Sequence, residues 1–251
     1  MKKIQLLLVG TLMASSSILA QQSSFSSNTS SSVKKENEIK LNLMALASKS
    51  VSIQYERQVA RKKTFTFTFR TMPKSTLPFK NTFKNSISDS STANQLDDFK
   101  TANIALMPSI RFYLSRRGAF HGFYIAPFVE YGHYSADLPY KYYDGEYKTI
   151  PLSGSVNTFT GGIMFGAQWS LSSSVSLDWW IFGPHYGSSK GSVSGRQSLS
   201  QSEQEALKSE LDNLDIPLTK TTNSVDSNGA VVNFSGPWGG IRSGLCLGIK
   251  F

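Results

Sequence analysis

Cysteine is the scarcest residue type in this chain of 251 residues, which has only 1, Cys246. A disulfide framework is therefore excluded. No cysteine stands directly after the apolar run at residues 4–13, so the sequence does not favour a lipid-anchored lipoprotein. Cys246 lies on the small-residue face of the last predicted strand, and we interpret it as a buried packing thiol.

Long apolar runs are also missing. Beyond residue 20, nothing approaches the roughly 18 consecutive apolar residues of a membrane-spanning helix. A membrane protein without such a helix must cross as a closed β-barrel. The apolar run at residues 4–13 is too short to span a bilayer. With its basic start and the small residues up to Ala20, it predicts a secretory signal peptide at residues 1–20.

Acidic residues are outnumbered, and the formal net charge is +9. A basic chain can bind nucleic acid, but no basic patch here is interleaved with aromatic residues as in the known modules. We therefore expect no nucleic-acid partner, and interpret the charge as facing acidic lipopolysaccharide. No second ligand accompanies His121 or His133 at metal-binding spacing. The sequence thus predicts neither a metal nor a cofactor, and both histidines are interpreted as interfacial.

Alternation of apolar and polar residues is what the sequence does have. Residues 21–38 are Ser-rich and predict a flexible segment, whereas period-two alternation from residue 39 predicts a barrel domain over residues 39–251. The clearest strand alternates three Phe with Thr, from Thr64 to Arg70. Strands are expected at about residues 39–47, 51–56, 64–70, 104–114, 121–134, 159–169, 175–182 and 238–251.

The connections between these strands alternate in length. Those after the second, fourth and sixth strands are short, whereas residues 71–102, 135–155 and 183–239 form long predicted loops. Bacterial barrels have short periplasmic turns and long extracellular loops. A turn at Asp144 is expected to fold the second loop into a hairpin, and residues 198–215 predict one helix in the last. The fold class is therefore all-β: an eight-stranded antiparallel transmembrane β-barrel in the cell outer membrane.

The last predicted strand ends on Phe251, with its apolar face running to the final residue. This arrangement resembles the C-terminal signal by which outer-membrane barrels are recognised. We therefore expect Phe251 to be an assembly signal for the barrel-assembly machinery, and outer-membrane lipids to surround the barrel.

Charged residues fall on the inward faces of the predicted strands. A barrel of eight strands has a narrow interior, and buried charges of both signs must pair. We expect a salt-bridge network that closes the lumen. Its members are Glu56, Arg70, Arg111, Glu130, Asp178 and Arg242.

Four tyrosines lie in the second predicted loop and give a possible surface contact, because Tyr supplies contact area at low entropic cost. They are Tyr140, Tyr142, Tyr143 and Tyr147.

These patterns favour a non-enzymatic barrel with a structural or surface-interaction role, and two alternatives stay open. The first is a lipid A-modifying hydrolase or acyltransferase, with His185 acting beside Ser188 or Ser189 and Asp178. The second is a soluble periplasmic lipid-binding barrel, which would turn the apolar faces inward and expose Arg111, Asp178 and Arg242.

Four stretches together carry a resemblance. They are Gly122–Pro127, Leu177–Gly187, the end of the predicted helix at Leu214–Pro217, and Gly236–Phe251. In these stretches the chain resembles a family of uncharacterised small outer-membrane barrels from Bacteroidetes, defined as a domain of unknown function. The resemblance covers most of residues 39–251. It implies a barrel and an outer-membrane location, and it carries no activity.

Overall fold

A computed structural model describes residues 35–78, 97–144, 146–212 and 218–251 of the chain. The side chains of residues 140–144, 146–150 and 210 are not part of that description. The predicted signal peptide and nearly all of the Ser-rich segment lie outside the described residues, so both stay predictions.

Strands dominate the described ranges, which contain nine strands and two helices. In chain order the elements are β1 (Asn37–Asn42), α1 (Leu43–Ala47), β2 (Val51–Ala60), β3 (Lys63–Thr76), β4 (Lys100–Tyr113), β5 (Gly122–Asp144), β6 (Glu146–Ser170), β7 (Val175–Arg196), α2 (Gln201–Asp212), β8 (Lys220–Asp226) and β9 (Gly229–Lys250). Neither helix in these ranges has the length and apolar character needed to cross a membrane.

Eight of the strands hydrogen-bond in a closed ring. Strands β1 to β7 follow one another, β9 pairs with β7, and β9 also pairs with β1, where Lys250 lies opposite Glu38. All of these pairs are antiparallel. The predicted all-β antiparallel class is thus confirmed, with ring-like pairing over eight strands. Strand β8 lies outside the ring, paired with the first part of β9.

The strands alternate between an exposed apolar face and a buried polar face. In β3, Phe65, Phe67 and Phe69 are each about 40% exposed on the outside, whereas the threonines at positions 64, 66 and 68 are buried. Side chains of successive strand residues point to opposite sides of a sheet. The alternation predicted from Thr64 to Arg70 is therefore confirmed, with the Phe side chains outside and the Thr side chains inside.

A β-bulge breaks this alternation in β7. The register shifts between Trp180 and Gly183, because Ile181 is an extra residue on the bulged strand. Unbroken alternation over the strand predicted at residues 175–182 would put Phe182 on the inward face with Asp178 and Trp180. Because of the bulge this expectation is wrong, and Phe182 is 44% exposed on the outside. Beyond the bulge the odd-numbered residues face inward, and His185 is half-buried there.

Two sequence boundaries also need correction. The strand expected over residues 39–47 ends at Asn42, because the Asn42 side chain accepts a hydrogen bond from the Ala45 N–H at 3.1 Å and caps α1. The three long predicted loops are partly strand, since β3, β5 and β7 run beyond the ring-forming residues. The backbone hydrogen bonds between these strands continue beyond the residues in which apolar and polar side chains alternate.

The strand ends define two ends of the ring. The start of β1, the end of β9 and the short links at residues 61–62, 114–121 and 171–174 share one end, here called the terminal end. The opposite, loop end carries α1, the β5–β6 hairpin, α2 and β8. This confirms the alternation of short and long connections. It also confirms the hairpin, where Asp144 pairs with Glu146.

The predicted helix of the last loop is α2, twelve residues long. The Ser200 backbone N–H donates to Glu203 Oε2 at 2.8 Å, and the Glu203 N–H donates to Ser200 Oγ at 3.4 Å. These reciprocal bonds form a capping box at the start of the helix.

Candidate functional site

The interior of the ring holds two groups of charged side chains. The group nearer the terminal end is fully or almost fully buried, and we call it the charge plug. It consists of Glu38, Lys40, Glu56, Arg111 and Asp178. The group nearer the loop end surrounds open space, and we call it the arginine chamber. It consists of Arg70, Glu130, His185 and Arg242, with Asn103, Tyr134 and Trp238 beside them.

Asp178 is the centre of the charge plug. Its Oδ2 accepts hydrogen bonds from Lys40 Nζ and from Arg111 NH1, each at 2.7 Å. Its Oδ1 accepts from the Tyr124 hydroxyl at 2.8 Å. Because both cations and the carboxylate are buried, these charge-assisted bonds replace the hydration that each group has lost.

Glu56 and Glu38 complete the plug. Lys40 donates to Glu56 at 2.5 Å, and Arg111 NH1 lies 3.1 Å from the same carboxylate. Lys40 also lies 3.7 Å from Glu38, whose carboxylate accepts from Gln168 Nε2 at 2.7 Å. The plug has one carboxylate more than it has cations, and Lys250 interacts electrostatically with Glu38.

Glycines on β6 and β9 make room for these long polar side chains. A methyl group at Gly248 would overlap the carboxylate of Glu38, and one at Gly166 would overlap the ring of Tyr124. The small residues on the inward faces are therefore a steric requirement of the plug.

The turn between β4 and β5 covers the interior of the ring at the terminal end. In the turn between β4 and β5, the Ala119 N–H donates to the Arg61 carbonyl at 2.9 Å. The neighbouring Phe120 is buried, with its ring 6.4 Å from that of Tyr113. This turn folds under the charge plug and buries apolar side chains against it.

The arginine chamber has a different character. Two adjacent cavities, of about 400 Å³ and about 350 Å³, share Arg70 and Arg242 in their walls. Arg242 NH2 forms an ion pair with Glu130. Arg70 NH2 donates to the Tyr134 hydroxyl at 3.0 Å, and the Tyr134 ring lies 5.5 Å from that of Trp238.

Several buried polar atoms of the chamber have no hydrogen-bond partner among the described residues. They are Nε of Arg70, Nε of Arg242, Nδ1 of His185, Oδ1 of Asn103 and Oε2 of Glu130. Of these, Glu130 Oε2 has the ion-pair contact with Arg242. In the charge plug, Arg111 Nε is the corresponding exception. Buried polar atoms are normally paired, and the chamber holds more unpaired polar atoms, donors and acceptors together, than the plug does. These atoms lie beside a cavity.

The six residues of the predicted lumen network divide between these two groups. Glu56, Arg111 and Asp178 lie in the plug, whereas Arg70, Glu130 and Arg242 lie in the chamber. Sequence reasoning missed Glu38 because residue 38 was assigned to the flexible segment. Lys40 lies in the first predicted strand but is not a member of the predicted network. The register of β1, in which Glu38 and Lys40 alternate with Ile39 and Leu41, is the signal that identifies both.

The residues of the enzyme alternative are not brought together. Asp178 is held in the plug, Ser188 is exposed, and Ser189 Oγ donates to the Gly236 carbonyl at 3.2 Å. None of the hydrogen bonds among the described residues joins His185 to Asp178 or to either serine. The described residues thus show no hydrogen bond between His185 and a serine nucleophile.

The other histidines lie outside both groups. His133 Nδ1 is 2.8 Å from Asn157 Oδ1 on the outer side. His121 belongs to the turn at the terminal end, where burial, and then the charges of Lys250 and Arg117, lower its pKa. Within the ranges that the structure describes, no cluster of three His, Cys, Asp or Glu has metal-site geometry.

Two further predictions concern the four tyrosines of the second predicted loop and the last residue, Phe251. The side chains of Tyr140, Tyr142, Tyr143 and Tyr147 lie outside it, so their surface role stays a prediction. Phe251 exchanges backbone hydrogen bonds with Asn37, at 2.9 Å and 3.2 Å, and its side chain is exposed. Its role as an assembly signal is not tested by this geometry.

No curated protein and no solved structure matches the chain. One family model does match, over residues 18–187, and its description is "Protein of unknown function (DUF3575)". The match includes two of the stretches that carry the resemblance, Gly122–Pro127 and Leu177–Gly187. The helix end at Leu214–Pro217 and the closing stretch from Gly236 lie beyond it. Since the match covers more than half of the sequence, the chain belongs to the family of proteins of unknown function DUF3575.

Proposed function

We propose that the chain is a non-enzymatic β-barrel protein of the outer membrane, with a closed lumen and a structural or surface-interaction role. The eight-stranded ring is then the transmembrane part. The terminal end faces the periplasm and the loop end faces the outside, as short turns and long loops do in bacterial barrels.

The observation that carries this proposal is the exposed apolar surface of the ring. Large apolar side chains are exposed on every one of its eight strands. They include Ile39, Ile53, Phe67, Leu106, Phe123, Ile163, Phe182 and Leu247. An apolar surface of this extent is rare on soluble monomers, whereas hydrocarbon solvates it without cost.

The lengths of seven of the eight ring strands agree with this proposal, and β1, with 6 residues, is the exception. Strands β3 and β4 have 14 residues each, and a tilted transmembrane strand needs about 9 to 11. The polar interior also argues against the soluble lipid-binding alternative, because such a protein needs an apolar cavity and a polar outside. In the ring the charges of Lys40, Arg111 and Asp178 are inside.

The charge plug supports a closed lumen. Its side chains fill the interior from β1 to β7, and each cation contacts at least two carboxylates. Opening a path for ions would separate these pairs in a region of low dielectric constant. We therefore assign the plug to stability and the loop end to any contact with the surroundings.

The proposal is tested by refolding the mature chain in detergent and comparing gel migration with and without boiling. We expect the unboiled protein to migrate differently, since a detergent-solubilised barrel stays folded until it is heated. Fractionation of cells should place the protein with the outer membrane. Recovery as a folded monomer in buffer without detergent would rule the proposal out.

The enzyme alternative has a separate test. Lipid A from cells producing the wild-type chain is compared by mass spectrometry with lipid A from cells producing His185→Ala. The non-enzymatic proposal predicts identical lipid A. A modification that depends on His185 would contradict it.

A further inference from the structure

We propose that the arginine chamber binds a small soluble molecule through an oxyanion group, which is a phosphate, sulfate or carboxylate. This inference goes beyond the function proposed above. It depends on the interior of the ring and not on what surrounds the ring.

The charges of the chamber are unbalanced. Arg70 and Arg242 share the chamber with a single carboxylate, that of Glu130. Arg242 interacts electrostatically with Glu130 and with Arg70. Arg242 is paired with Glu130, whereas the hydrogen-bond partner of Arg70 is the neutral hydroxyl of Tyr134. The chamber therefore carries one positive charge more than its carboxylate offsets. Unpaired charge away from bulk water is unfavourable, so an incoming anion would be stabilised.

The unpaired donors belong to the same two residues. The Nε atoms of Arg70 and Arg242 are buried and have no partner among the described residues, and Nδ1 of His185 is in the same condition. The guanidinium group presents a planar fork of donors that matches the oxygens of a carboxylate or phosphate. His185 interacts electrostatically with both arginines and lies at the edge of the same cavity.

The cavity has the size and the access that a small ligand needs. Its two parts have volumes of about 400 Å³ and about 350 Å³, at the lower end of the range of small-molecule sites. Trp180 and Asn42 line the deeper part, above the charge plug, so the cavity is closed towards the terminal end. The Arg242 side chain is 14% exposed, which shows that solvent reaches the pair from the loop end.

An aromatic wall beside the arginines indicates what the oxyanion is attached to. Trp238 and Tyr134 line the outer part of the cavity together with Arg70. Such rings offer apolar contact to a sugar or a planar group, while the guanidinium groups hold the charged end. The dimensions suit one ring and one oxyanion.

The test is a calorimetric titration of the refolded protein with inorganic phosphate, sulfate or acetate, each at constant ionic strength against chloride. We expect saturable binding of at least one of these anions. Arg70→Gln should weaken that binding by about tenfold or more, because a charge-assisted hydrogen bond is lost. Lys74→Gln is the matched control: Lys74 pairs with Asp137 on the exposed surface of β3, and its removal changes the net charge equally.

Arg242 needs a compensated variant, because Arg242→Gln alone would leave the buried Glu130 carboxylate unpaired. The double variant Arg242→Gln/Glu130→Gln removes both charges, and it too should bind the anion about tenfold more weakly. Gel migration with and without boiling establishes that each variant is folded. A failure of binding is thus distinguished from a failure of the barrel.

Three results would overturn the inference. The first is a titration heat that is no larger for any of the three oxyanions than for chloride, and the second is an unchanged affinity of folded Arg70→Gln for the oxyanion. The third is binding of the protein to lipopolysaccharide micelles without binding to any free anion. The last result would assign the arginines to a lipid headgroup instead of a soluble ligand.

Discussion

The charge plug and the arginine chamber are built from the same types of side chain inside one ring, yet they differ in how completely those side chains are paired. Arg111 lies between Asp178, Glu56 and Gln54, and its guanidinium stacks 4.3 Å from the centre of the Tyr124 ring. Arg70 donates to one neutral hydroxyl beside an open cavity. In the plug every charged group contacts a group of opposite charge. In the chamber Arg70 has no ion pair among the described residues, which leaves capacity for a ligand.

This difference predicts that the plug determines stability and that the chamber contributes little to it. The largest effect is expected for Asp178→Ala, which leaves Lys40 and Arg111 buried without their shared partner. Breaking a buried charge pair from one side costs about 3 to 5 kcal/mol. Urea unfolding in detergent should show a loss of this size in the free energy of unfolding.

The control for that variant is Asp137→Ala. Asp137 lies on β5 and forms an exposed ion pair with Lys74 of β3. Surface ion pairs contribute about 1 kcal/mol or less, so the control should unfold close to the wild type. Equal losses in the two variants would mean that burial of the plug does not set the stability of the ring.

A smaller loss in the free energy of unfolding is expected when a methyl group is added beside the plug and all of its charged groups are kept. Gly248→Ala places a methyl group against the Glu38 carboxylate and should lower the free energy of unfolding by about 1 to 3 kcal/mol. Gly161→Ala is the matched control on β6, because its methyl group would meet only the Phe128 carbonyl, at an ordinary 3.8 Å. If the two alanine variants unfold at the same urea concentration, the tight fit of the plug is disproved.

The smallest effect is expected in the chamber. Arg70→Gln removes one hydrogen bond to Tyr134 and also removes the repulsion between Arg70 and Arg242. The net loss in the free energy of unfolding should be about 1 kcal/mol or less. A loss as large as that of Asp178→Ala would show that Arg70 belongs to the structural network after all.

Much of this arrangement could be predicted because strand periodicity determines which face a side chain occupies. The alternation of Phe and Thr in β3 placed Thr66 inside and Phe67 outside, and the same reasoning placed Arg111 and Asp178 in the interior. Periodicity does not give the tilt of the strands. It could not separate Asp178 from Arg242 into two groups at different heights.

What the sequence did not predict has local causes. The bulge at Ile181 inserts one residue, which reverses the faces of β7 and turns His185 inward. Strand β8 and the extensions of β5 and β6 are held by backbone hydrogen bonds, without an apolar face to mark them. Helix α1 replaces the expected end of the first strand because the Asn42 side chain caps it.

The most direct test of the central claim is to determine which medium touches the outer face of the ring. Spin labels are placed singly at Phe67 and Val231 in a Cys246→Ala background, and the protein is reconstituted in lipid vesicles. The two side chains are equally exposed, at 40% and 39%, but Phe67 lies on the ring and Val231 on the extension of β9. We expect oxygen to reach the label at Phe67 and a water-soluble nickel complex to reach the label at Val231. Equal access of the nickel complex to both positions would contradict the account.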